Sequence, residues 1–151
     1  MQAAISKIQA LLIEAIQAEG AIKGTIQCYR KETNTLDIIA SEGFTPEFLL
    51  HFKNVKPFDS SCCGRAFGTG SPIAINDVET DPCFAPNLSI ARQAGFRSVR
   101  SIPIYNSKGQ KFGVISTHFK EPRKKWSKGK MDNVLVQLTK VFEETPELSF
   151  I

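Results

Sequence analysis

The longest uninterrupted apolar stretch in this chain of 151 residues is Ala10-Leu11-Leu12-Ile13, far short of the roughly 20 residues that a helix needs to span a bilayer. The start also lacks the basic-then-apolar order of a secretion signal. No membrane partner is therefore expected, and the chain reads as cytoplasmic. Histidine is limited to His51 and His118, distant in sequence, and the four cysteines include the adjacent Cys62 and Cys63 but no CxxC pair. Zinc sites draw on paired Cys or Cys/His spacings, so no metal is expected. Free thiols are expected too, because an adjacent cysteine pair is awkward to bridge and a chain with 42% hydrophobic residues can build a core without staples. Gly64, Gly68 and Gly70 do not form a phosphate-cradling loop, since no Lys-Ser or Lys-Thr closes it. Nucleophile-elbow, triad and kinase motifs are missing as well, so any output activity must lie elsewhere in a longer protein or in a partner.

What charge there is collects near the end. The formal net charge is +4, and Lys120, Arg123, Lys124, Lys125, Lys128 and Lys130 cluster there. A nucleic-acid surface would interleave aromatic rings with such charges as a stacking platform. Only Trp126 is present, so the stretch reads as a solvated loop with no nucleic-acid partner, and Trp126 as the anchor of the helix that follows.

Periodicity orders the rest. Ile5, Ile8, Leu11, Leu12, Ala15 and Ile16 recur at helical spacing and predict an amphipathic helix ending near Gly20. Ala21 to Tyr29 and Leu36 to Ser41 alternate about the turn Glu32-Thr33-Asn34-Thr35, with Leu36, Ile38 and Ala40 on one face. Thr45-Pro46-Glu47 opens a helix to about Lys53. Asp59 or Ser60 caps another that Gly68 and Gly70 stop, and Pro72 to Asn76 reads as a strand. After the Asp- and Pro-rich loop from Asp77 to Asn87, a short helix from Leu88 to Ala94 ends at Gly95. Arg97 to Tyr105 and Lys111 to Phe119 form a second hairpin. Ser127 is the expected cap of a last helix with the stripe Met131, Val134, Leu135, Leu138, Val141 and Phe142. Strands and helices that do not alternate regularly predict an α+β architecture with an antiparallel sheet. Both terminal stripes are wider than one sheet face needs, which suggests a homodimer through those helices.

Four segments together carry a resemblance: Ser61-Cys62-Cys63-Gly64-Arg65-Ala66-Phe67-Gly68-Thr69-Gly70-Ser71-Pro72, Asn76-Asp77-Val78-Glu79-Thr80-Asp81-Pro82-Cys83-Phe84, Ala94-Gly95-Phe96-Arg97-Ser98 and Gly113-Val114-Ile115-Ser116-Thr117-His118-Phe119. In order and spacing, over about residues 20 to 143, they resemble a GAF domain, the sensing module of signalling proteins such as sensor histidine kinases. The resemblance implies a PAS-related fold: a central antiparallel sheet, the terminal helices on one face, and short helices and loops roofing a pocket on the other. It also implies a single domain over 1–151, with an N-terminal helix over 1–19, a core over 20–143 and a tail over 144–151. The function implied is non-catalytic regulation by an unidentified small molecule, relayed through the terminal helices to a kinase or other output domain in a longer protein.

Side chains one apart on a strand face opposite ways, which sets Ile115, Thr117 and Phe119 under the terminal helices and leaves Ser116 and His118 towards the pocket. Ser98 and Arg100 should share a face; Arg100 could clamp a carboxylate or phosphate, or else pair with Asp77 or Glu79. Tyr29, Asp77, Phe84 and Cys63 complete the candidate ligand site. Phe112 to His118 is similar to the phytochrome strand that ends in a pigment-contacting histidine, and Asp81-Pro82-Cys83-Phe84 to the Asp-x-Cys-Phe motif of cyanobacterial photoreceptors. The Cys-His pair of those photoreceptors is absent from Leu88 to Ala94, which argues against a covalent bilin. The free methionine-R-sulfoxide reductases invite comparison through Cys63 and Cys83, but their His-x-x-Cys-Asp stretch is absent. The Asn-Lys-x-x-x-Phe-x-x-x-Asp-Glu signature of cyclic-nucleotide binders is absent too, so the cofactor or ligand is unknown. The alternative to a sensor is a dimerisation or scaffold module whose pocket is filled by Phe58, Phe67, Phe84 and Phe96.

Overall fold

The computed structural model describes residues 1–148. Helix α1 (Gln2–Glu19) ends at Gly20, which takes φ +72° and turns its amide back to the carbonyls of Ile16 and Gln17, the left-handed cap that glycine adopts without steric cost. Strands β1 (Lys23–Arg30) and β2 (Thr35–Glu42) follow, then the short helices α2 (Pro46–His51) and α3 (Cys62–Thr69). Next come β3 (Ile73–Ile75), a 3-10 turn (Pro82–Asn87), α4 (Leu88–Ala94), β4 (Ser98–Tyr105), β5 (Lys111–Phe119) and α5 (Asp132–Glu144). The five strands form one antiparallel sheet in the order β2-β1-β5-β4-β3. This is the expected α+β layering, with α1 and α5 packed on one face and α2, α3 and the segment from Asp77 to Gly95 covering the other.

Each face of the sheet has its own core. Under the terminal helices, Ile8, Leu12, Ala15, Leu138 and Phe142 close on Ile26, Ile104 and Ile115. Across the sheet, Phe48, Phe52, Phe67, Phe84 and Phe96 close on Leu36, Val99 and Val114. Two irregularities decide which residue joins which core. Between Ile26 and Gln27 the register against β2 slips by one, so Leu36 and Ile38 reach the roof core while Ala40 reaches the helix core. The expected single face for those three residues is thus broken by a bulge. A second slip, between Ile104 and Tyr105, sets Arg100 opposite Thr117 and Ser101 opposite Ser116.

Several boundaries differ from expectation for local reasons. Ser61, not Asp59 or Ser60, caps α3 and accepts the Gly64 amide at 3.0 Å. Asp59 is spent on the preceding turn, accepting from the amides of Lys56 and Ser61. A side chain on Gly64 would run into the Asp59 carboxylate and the Lys56 carbonyl, so α3 can lie against this turn only with glycine there. Ser127 does not cap α5, because its hydroxyl donates to Glu19 Oε2 at 2.6 Å. Trp126 anchors the preceding loop rather than the helix, donating from Nε1 to Asn76 Oδ1 at 2.8 Å and packing edge-on against Phe119. Of the expected tail over 144–151, a short 3-10 turn (Pro146–Leu148) tucks Leu148 into the helix core; residues 149–151 lie outside the described residues.

Candidate sensor site

Between the sheet and its aromatic roof lies a cavity of about 30 Å³. Its floor is a row of hydroxyls across three strands: Thr25 on β1 stands opposite Ser116 on β5, and Ser116 opposite Ser101 on β4. Ser101 and Ser116 share a hydrogen bond of 2.6 Å. Gln27 and His118 flank the row, and Ser61, Cys62, Cys63, Phe48, Phe52, Phe84 and Phe96 complete the enclosure. Gln27 is 1% exposed and His118 6%, yet Gln27 Oε1 and His118 Nδ1 have no hydrogen-bond partner. Leaving buried polar atoms unpaired typically costs about 1 to 3 kcal/mol each.

The His118 ring is held by rings: Phe96 at 4.6 Å, Phe44 at 4.9 Å and Phe48 at 6.1 Å between centroids, all near-perpendicular. Burial pushes its pKa down to about 3, against an upward pull from the Lys23 backbone, so the imidazole is neutral. Burial also pushes the Cys62 thiol up to about 12, and the Cys63 thiol up despite its hydrogen bond to Ser61. Both therefore stay protonated near neutrality and lack nucleophilic character. Desolvation is the larger influence on both, and Arg65 is turned towards Asp81 at 3.4 Å. Cys83 is exposed. No cluster of His, Cys, Asp or Glu among the described residues could hold a metal ion.

The structure brings together Ser116, His118, Cys63 and Phe84 of the expected site and sets the other four apart. Arg100 lies on the opposite face, where Nη2 donates to Glu19 Oε1 at 2.6 Å and Nη1 to the Ser127 carbonyl at 2.7 Å; it pairs with neither Asp77 nor Glu79. Ser98 shares that face and donates to the Glu121 carbonyl. Tyr29 stacks on Phe67 and donates to Asn34, beyond the cavity wall. Asp77 binds Arg97 at 2.8 Å on the flank of the roof. Phe58, expected as filling, is 70% exposed. Thr25, Gln27 and Ser101 escaped the sequence reading; the alternation of β1 did place Gln27 opposite Ile26 and Cys28, and a polar residue between two apolar neighbours was the available signal.

The roof is held by polar ties. Asn87 links three of its segments, accepting at Oδ1 from His51 Nε2 at 2.9 Å and donating to Ser60 at 3.1 Å. Asp81 caps the Phe84 amide, and Glu79 pairs with Arg92 at 2.6 Å.

The model of the GAF domain matches residues 38–139. The chain belongs to the GAF domain family. Over 66 residues it is 30% identical to the Methyl sulfide methyltransferase-associated sensor of Methanosarcina acetivorans; the match takes in 44% of this chain but only 7% of that protein's length. Among solved structures, the GAF domain from a phosphoenolpyruvate-protein phosphotransferase of Coxiella burnetii superposes with TM-score 0.75 at 13% identity, over 95% of this chain and 84% of that one. A domain assigned to a two-component sensor histidine kinase of Sinorhizobium meliloti gives 0.69 at 13%, over 91% and 90%. The free methionine-R-sulfoxide reductase of Neisseria meningitidis also gives 0.69, at 17%, over 97% and 79%. At such identities these neighbours establish the shared fold. No helix among the described residues is long and apolar enough to cross a membrane.

Proposed function

We propose that this GAF domain, a single domain in the cytoplasm, binds a small molecule between the sheet and its roof and passes the change through α1 and α5 to an output such as a histidine kinase in a longer protein. The observation that carries the reading is the cavity lined by Gln27 and His118, whose Oε1 and Nδ1 are buried without a hydrogen-bond partner. Folding tolerates such atoms where water or a ligand meets them. A ligand shifts the output only by its preference between two arrangements of the domain, and a roof joined by the Asn87 ties is the part suited to have two. Met1 just before α1, Ile5 and Ile13 on α1 and Val136 on α5 remain exposed, which supports a homodimer through the terminal helices.

A dimerisation or scaffold module is the second reading, and the small size of the cavity favours it. A thiol reductase is the weakest, since the two cysteines on α3 are buried and protonated. Native mass spectrometry of the purified protein beside a denatured sample tests the choice. Extra mass lost on denaturation supports the sensor; a bare dimer in every preparation supports the scaffold.

A further inference from the structure

The residues lining the cavity specify a class of ligand, and the inference rests on the sensor reading above. Every side chain in the lining is uncharged. The nearest cation from β1, Lys23, is engaged outside it, donating to the Ala94 carbonyl at 2.6 Å and lying over the Phe44 ring. Arg100, the residue suited to an anion, is on the other face. Asp59, a carboxylate beside the lining residue Ser61, is engaged by that hydroxyl, which donates to it. A buried anion or cation would thus find no counter-charge and would lose its hydration without replacement.

What the lining residues do hold is a buried amide oxygen without a donor, a buried neutral imidazole nitrogen without a partner, and hydroxyls that can turn either way. Its volume of about 30 Å³ holds one or two water molecules, whereas a cavity of roughly 150 Å³ admits a benzene ring. We propose that the site takes a neutral molecule of a few non-hydrogen atoms that carries an O–H or N–H donor, its donor on Gln27 Oε1 and its apolar side against Phe48, Phe84 and Phe96. Cyclic nucleotides, carboxylates and tetrapyrroles do not suit this cavity, by charge or by size.

Three isosteric probes separate charge from hydrogen bonding: acetamide, acetate and acetone. Titrated at neutral pH into isotope-labelled protein, acetamide should give saturable shifts of the Gln27 side-chain amide and the His118 ring nitrogens. Acetate should bind at least tenfold more weakly and acetone several-fold more weakly. In the volume-conserving variant Gln27→Met, the preference for acetamide over acetone should vanish. Acetate binding as tightly as acetamide would overturn the neutral class and leave the sensor reading standing. Acetone matching acetamide would overturn the donor requirement. Saturation by none of the three overturns the proposal outright, and the sensor reading falls with it only if the native spectrum also shows no retained mass.

Discussion

The two faces of the sheet bury polar groups in different ways. Beneath the terminal helices, the Glu19 side chain is wholly buried and that of Arg100 is 11% exposed. They are joined to each other and to Ser127 by bonds of 2.6 to 2.7 Å, with the guanidinium over the Trp126 ring. Its one leftover atom, Arg100 Nε, sits in a packed layer. Beneath the roof, the leftover atoms belong to Gln27 and His118, two of the residues that line the cavity. The first arrangement fixes a geometry; the second keeps a site that water or a ligand can complete.

Removing one partner on the helix face should therefore cost most. Glu19→Ala leaves Arg100 buried without its counter-ion, and a loss of about 3 to 5 kcal/mol is expected in chemical denaturation; a loss below about 1 kcal/mol would mean that the tie is not structural. Acid should come next. The unfolded chain takes up a proton on His118 below about pH 6.5, whereas the native ring, at about 3, does not. A folded-state pKa below the unfolded one means that stability falls as pH drops through this window, by about 1.4 kcal/mol per pH unit, with no contribution above it. Acidic groups with lowered pKa, such as Asp77 and Glu79, also lose their pairing in acid, so the test is the difference between the protein and His118→Gln. Equal slopes would show that the ring charges freely and the cavity is open to solvent.

Smaller effects should mark the roof itself. Asn87→Ala removes the tie among His51, Asn87 and Ser60 and should cost about 1 kcal/mol. The matching signature is faster amide hydrogen exchange confined to the 3-10 turn and α4; exchange unchanged there would make the tie ornamental. Smallest of all, Gln27→Met should leave stability within about 1 kcal/mol of the parent, or raise it, because the variant removes an unpaired atom and keeps volume. A large loss would mean that an ordered water completes Gln27, turning the roof face into a satisfied network like the other.

Element order, both hairpins and the inward set Ser116 and His118 were legible because period 2 and period 3.6 survive in the sequence. The face of Arg100 was not. Counting straight back from the pair Tyr105 and Lys111 would set Arg100 against Ser116, over the cavity. The slip after Ile104 sets it against Thr117, beneath the helices. A single extra residue reverses every side chain beyond it, and no residue type around Ile104 announces it. Ser127 misled for another reason: a hydroxyl before a helix is a good cap only if nothing else claims it, and Glu19 lies 108 residues away in sequence.

Arg100 and Ser101 are consecutive on β4, one gripping the last turn of α1 and the other forming the cavity floor. One peptide unit joins them, the shortest covalent path from the cavity floor to the terminal helices. A displacement of the floor at Ser101 would reach the grip of Arg100 on the last turn of the first helix across a single peptide unit.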